Sequence, residues 1–198
     1  MAVSNYTQAA LDASREAEAE PLETSELVRR AQNGDLSAIR ELYLRHHEQI
    51  YRFIWSRVHD PAQADDLTGE VFLRMVASLS SYQDRALPFR AWLYRIARNL
   101  VIDDYRKDQN QVSVPLQSVT EDLVDAETPE KITELKLKFE RVQQMLESLA
   151  SDQREVVELR FLAGLSLNEV ALTVDKSVLA VKGLQHRGLA SLRAIVEE

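Results

Sequence analysis

The sequence predicts an all-α protein: two small helical domains joined by a flexible acidic linker. Three observations carry this. Apolar residues recur at three- and four-residue spacing, with no run of strand-like alternation. Five glycines and five prolines in 198 residues are too few turn-formers for a sheet protein. Helical periodicity stops between about Asp108 and Glu130, where Pro115, Pro129 and many acidic residues fall.

Residues 1–24 are polar, Ala/Glu-rich and aperiodic, and are expected to form an acidic, disordered tail. They lack the apolar core of a secretory signal. Residues 25–107 form the first predicted domain. In it, Ile39, Leu42, Tyr43, His46, Ile50, Phe53, Ile54 and Val58 mark one helix face. Asp60–Pro61 then reads as an N-cap followed by proline at the first helical position, with Gln63 placed for a capping box. The helix that opens there turns Ala64, Leu67, Val71, Phe72, Met75, Val76 and Leu79 to one side. Ser80–Leu87 is a polar loop, and Pro88 starts a helix with Phe89, Trp92, Leu93, Ile96, Ala97 and Leu100 on its core face.

Residues 108–131 are the expected linker, long enough to let the flanking domains move independently. The second domain, 132–198, resumes helical spacing with Ile132, Leu135, Phe139, Val142, Met145, Leu146 and Leu149. A short helix holding Val156, Val157, Leu159 and Phe161 ends near Gly164. Ser166–Leu167–Asn168–Glu169 is a capping box. Asp175 stands where the turn of a helix-turn-helix takes a left-handed residue, and Ser177 can cap the next helix, with Val181, Leu184, Gly188 and Leu192 as its buried stripe. The opposite face offers Leu179, Lys182, Gly183, His186 and Arg193 to a DNA groove or its phosphates, with Lys176, Ser177 and Arg187 beside them.

Composition narrows the function. The net charge is −8, but it is unevenly placed: residues 1–24 carry −4, 108–137 carry −5, 25–107 carry +2 and 138–198 carry −1. Near-neutral modules neutralise few phosphates, so DNA binding here calls for a larger partner. With no cysteine there is no disulfide, thiolate metal site or thiol redox switch. No apolar run reaches membrane-spanning length, so membrane insertion is not expected and a cytoplasmic location is. His46–His47–Glu48 and nearby carboxylates could suggest a di-metal bundle. That site needs inward Glu-x-x-His pairs, which are absent, so neither metal, cofactor nor enzymatic catalysis is expected.

Two segments suggest partners instead. Asp65, Asp66, Glu70 and Arg74 fall on adjacent turns, and the like charges Asp66 and Glu70 sit at i,i+4, which suits a basic partner better than it suits the helix itself. On the helix after Pro88, Arg90, Arg98, Arg95 and Arg106 spread over about 160° opposite the apolar stripe, with Tyr94 and Asn99 beside them. Cations with aromatic and amide groups hold single-stranded nucleic acid. The loop bearing Tyr82 and Arg85 could receive an unstacked base.

These segments resemble the extracytoplasmic-function (ECF) sigma factors of bacterial RNA polymerase, of the sigma-70 family. The resemblance lies in Asp65–Arg74 and Phe89–Asn99, continued by Asp152–Val157, Gly164–Leu165–Ser166 and Val181–Lys182 in the same order. It implies a transcription initiation factor that binds core polymerase and directs it to promoters. Asp65, Asp66, Glu70, Phe72 and Arg74 would dock on the coiled coil of the largest subunit. Tyr82, Arg85, Arg90, Arg95, Arg98, Asn99, Asp103 and Arg106 would serve −10 recognition and strand opening. Lys176, Ser177, Leu179, Lys182, Gly183, His186 and Arg187 would read the −35 element. An anti-sigma factor acting in trans is the implied regulator. Gly69, where this family commonly has glutamine, and Gly183–Arg187, which has one cation fewer than is frequent, depart from the pattern. The competing reading is a two-domain regulator with a LuxR-like helix-turn-helix that binds DNA without polymerase.

Overall fold

The computed structural model describes residues 23–83, 87–110, 141–142 and 144–197. Those residues form helices joined by short turns, with no strand among them. Helix α1 (23–32) already includes Glu23 and Thr24, and Thr24 is buried. Gly34, at φ 86°, turns the chain into α2 (Leu36–Val58). The Asp35 carboxylate caps α2 by accepting from the Ser37 and Ala38 amides. The Ser37 hydroxyl, followed by Arg30, holds that carboxyl well below its ordinary pKa. His59 ends α2 in the left-handed conformation, its N–H bonded to Trp55 O.

Asp60 caps α3 (Pro61–Ser78), as the Asp–Pro pair predicts. The capping box is not completed: the Gln63 side chain donates instead to Asp104 of α4 (Phe89–Asn110), at 2.5 Å. Helices α2, α3 and α4 close around Leu42, Ile50, Phe53, Ile54, Val71, Met75 and Leu93, all at most 1% exposed. Four residues assigned to inward stripes face out: Tyr43, Val76, Val142 and Phe161.

Beyond the undescribed segment lie α5 (141–147, residue 143 excepted), α6 (Ser151–Val157), α7 (Leu167–Val174) and α8 (Val178–Glu197). The expected linker and the stripe Ile132–Phe139 fall outside the described residues, apart from the end of α4. A π-turn, Glu158–Leu162, follows α6 and closes with Ala163 N–H on Glu158 O at 3.0 Å. This widened turn swings Phe161 outward, against the apolar stripe read from sequence, and Glu158 inward to 1% exposure. Gly188 lets α8 approach α6 closely, since a Cβ there would lie 2.9 Å from Val157 Cγ2.

The helix-turn-helix is built as predicted. Ser166 and Glu169 complete their reciprocal capping box, Asp175 adopts φ 55°, and Ser177 Oγ accepts from Ala180 N–H. The two helical units are not separate in space. One apolar cluster runs from α1–α4 into Val156, Leu159, Leu165, Val170, Ala171, Val174 and Val181. Helix α7 lies on α4, with Thr173 Oγ1 donating to Ala91 O at 3.3 Å.

Candidate polymerase and promoter surfaces

The exposed side of α3 carries Asp65, Asp66 and Arg74, with Glu70 partly covered. Arg74 Nε donates to Glu70 Oε1 at 2.7 Å, an exposed i,i+4 pair that relieves the Asp66–Glu70 repulsion. Phe72, assigned to docking, is only 6% exposed; it supports Tyr43 from below at a ring distance of 4.8 Å. The apolar part of this surface consists instead of Leu73 (67% exposed) and Val76 on α3, with Leu44 and Tyr43 on α2. Periodicity could have found Leu73, which at 100° per residue falls between Asp66 and Gly69. A shallow cleft of about 470 Å³ joins Glu70 and Arg74 to Asp103 and Arg106 on α4.

Tyr82 is buried rather than open to a base. Its hydroxyl donates to Leu87 O at 2.7 Å, and its ring packs on Trp92 and Phe89. Gln32 Nε2 donates to both Leu79 O and Tyr82 O at 2.9 Å, fixing the start of this loop from α1. Arg85 lies outside the described residues.

The arginines of α4 do not form the open strip that helical spacing suggests. Arg98 pairs with Glu155 through two bonds, 2.6 and 3.2 Å. Arg90 Nη2 donates to Ala163 O at 2.8 Å, and Arg95 Nη2 stands 4.0 Å from Asp175 Oδ1. Tyr94, expected beside them in solvent, is 1% exposed and packs edge-on to Phe53 at 5.1 Å. Burial raises its pKa above the ordinary phenol value. Asn99, Asp103 and Arg106 remain exposed, with Arg106 Nη1 3.9 Å from Asp103 Oδ1.

His46 is buried against Phe89 under the same helix. Desolvation, then Arg90 and Arg45, lowers its pKa to about 4, so it is a neutral core residue. Among the described residues no group of three or more His, Asp or Glu is placed to hold a metal ion. No helix among them is long and apolar enough to cross a membrane.

The opposite end presents α8. Lys176, Ser177, Leu179, Lys182, His186 and Arg187 are exposed and Gly183 is half-buried. Leu179 is 79% exposed, the most of any large apolar residue among those described. Lys176 Nζ lies 3.1 Å from Asp152 Oδ2. A Cβ at Gly183 would meet only the Arg187 side chain, at 3.4 Å, so no neighbouring helix requires that glycine.

Comparison with known proteins agrees with this layout. Residues 42–111 match the family model for Sigma-70 region 2, and 145–194 that for Sigma-70, region 4. The chain is 35% identical over 177 residues to the ECF RNA polymerase sigma factor BldN of Streptomyces coelicolor, covering 87% of this chain and 66% of BldN. It is 34% identical over 160 residues to the ECF RNA polymerase sigma factor SigX of Bacillus subtilis, covering 79% of this chain and 82% of SigX. Among solved structures, CnrH in complex with the cytosolic domain of CnrY superposes with a TM-score of 0.68 at 27% identity, over 86% of this chain and 95% of that one. With both sigma regions in order on the helices that carry the acidic face and the helix-turn-helix, the chain belongs to the ECF sigma factors of the sigma-70 family.

Proposed function

We propose that this chain binds core RNA polymerase through the exposed face of α3 and selects promoters with α4 and α8. The carrying observation is the α3 surface: Asp65 and Asp66 stand in solvent beside 67%-exposed Leu73, a charged and apolar combination that pairs with nothing among the described residues. A basic coiled coil with apolar positions is the partner chemistry it fits. Arg90, Arg95, Arg98, Asn99, Asp103 and Arg106 serve the −10 element and its opening, and Tyr82 frames the loop that carries Arg85. On α8, Lys182, His186 and Arg187 serve the −35 element, with Lys176, Ser177, Leu179 and Gly183 at its leading end. Phe72 contributes to docking by holding Tyr43 in place. The protein so acts as an initiation factor in the cytoplasm and catalyses no reaction of its own. CnrH is solved in complex with the cytosolic domain of CnrY; a protein partner acting in trans, an anti-sigma factor, likewise binds this chain.

Charge reversal at Asp65, Asp66 and Glu70 to Lys tests the docking surface. Like-charge contacts across an interface cost several kcal/mol, so affinity for core polymerase falls at least about 100-fold while circular dichroism keeps its helical signal. Unchanged affinity by gel filtration and fluorescence titration would contradict the assignment.

A further inference from the structure

Helix α8 begins with an apolar side chain that the described residues leave uncovered. Leu179, its second residue, is 79% exposed. At 100° per residue it points away from buried Val181 and Gly188 and shares its face with exposed Lys182 and His186. Gly183, one turn further on, is half-buried on the same face. Glycine is the poorest helix former after proline, yet a Cβ there would meet only Arg187 Nη1, at 3.4 Å. Packing among the described residues therefore does not call for it. A bare stretch of backbone thus lies beside a projecting leucine.

The cations around this pair suit phosphates, but a leucine gains nothing from a phosphate. In the major groove the one apolar substituent that a base pair displays is the C5-methyl of thymine. The leading residues of the second helix in a helix-turn-helix are those that reach base edges, and Leu179 stands in that leading turn. Polar readers are missing from the same spot. Ala180 and Gly183 carry no polar side-chain atom, and the Ser177 hydroxyl is occupied in accepting from Ala180 N–H at 3.2 Å.

We infer that Leu179 reads a thymine methyl in the −35 element, with Gly183 bare so that the groove edge closes on the leucine. The chain so selects an A·T pair where that side chain lands. This rests on the reading that α8 serves the −35 element. Exposed Lys182, His186 and Arg187 around the leucine make DNA, rather than another protein, the occupant that fits the charge.

Holoenzyme, made from core polymerase and the full chain, first selects duplexes from a random library, which defines the upstream element. Deoxyuridine then replaces thymidine one position at a time on either strand, deleting single methyl groups. At one position the parent should lose about fourfold in affinity. Leu179→Ala, an exposed change to a good helix former, should lose about as much on the unmodified duplex. Deoxyuridine at that position should then cost this variant nothing further, and its affinity for core polymerase without DNA should equal the parent's. Lys182→Ala should weaken binding to every duplex and leave the deoxyuridine pattern as it is. An upstream element with no deoxyuridine-sensitive position, or one whose cost persists in Leu179→Ala, overturns the methyl contact and leaves α8 on the −35 element. Weaker binding of Leu179→Ala to core polymerase without DNA assigns the leucine to a protein contact and overturns it too. Should Lys182→Ala with Arg187→Ala select and bind DNA as the parent does, α8 does not serve the −35 element, and the inference falls with that reading.

Discussion

His46 is neutral in the fold, with its pKa lowered from 6.5 to about 4 by burial. The unfolded chain takes up a proton near 6.5 and the native chain does not until about 4. Stability contributed by the neutral imidazole is therefore full above pH 6.5 and is lost as pH falls toward 4, by up to about 3 kcal/mol. Replacing His46 with leucine should flatten this part of the urea-stability profile between pH 6.5 and 4; a profile as steep as the parent's would contradict the burial argument. Gly188→Ala makes a second test. Its Cβ would meet Val157 Cγ2 at 2.9 Å, so overpacking of about 1–3 kcal/mol outweighs the helix-propensity gain of about 1 kcal/mol. The midpoint of chemical unfolding should fall. Sequence places Gly188 on the buried stripe but cannot tell a close helix crossing from a DNA contact, because the answer lies on α6. Tyr94 is misread for the same reason: its helix face is covered by residues distant in the chain.

Helix ends were the most legible elements, because capping is local chemistry. Asp60–Pro61, the Ser166/Glu169 box and left-handed Asp175 all stand where residue type puts them. The π-turn after α6 is not legible, since no residue type requires it, and it turns Phe161 out of the stripe to which spacing assigns it. The docking helix gives a clean prediction. Gly69 lies inside α3, and a Cβ added there would meet nothing within 4 Å. Gly69→Ala should therefore stabilise the protein by about 0.5–1 kcal/mol and raise Tm by roughly 1–4 °C. A lower Tm would show that the helix is strained there in a way its spacing does not reveal. Ser166→Ala should cost about 1 kcal/mol through loss of the cap on α7, read as a lower unfolding midpoint.

For the whole molecule, sequence separates two helical domains correctly but says nothing of how they meet. The pairs that join them, Arg98–Glu155 and Arg57–Glu158, bring together residues 57 and 101 positions apart, and no local pattern encodes such a choice. The same juxtaposition explains why the α4 arginines look available in the sequence and are engaged in the fold. At the junction two acidic residues, Glu155 and Glu158, stand against Arg98 and Arg57. As an ECF sigma factor, this chain confers promoter selection on core polymerase. The most direct measurement is in-vitro transcription of fragmented genomic DNA by core enzyme with and without the protein, with the 5′ ends of the transcripts mapped. A set of start sites should appear only with the protein and share two upstream elements at fixed spacing. Identical start sites with and without it would contradict the claim.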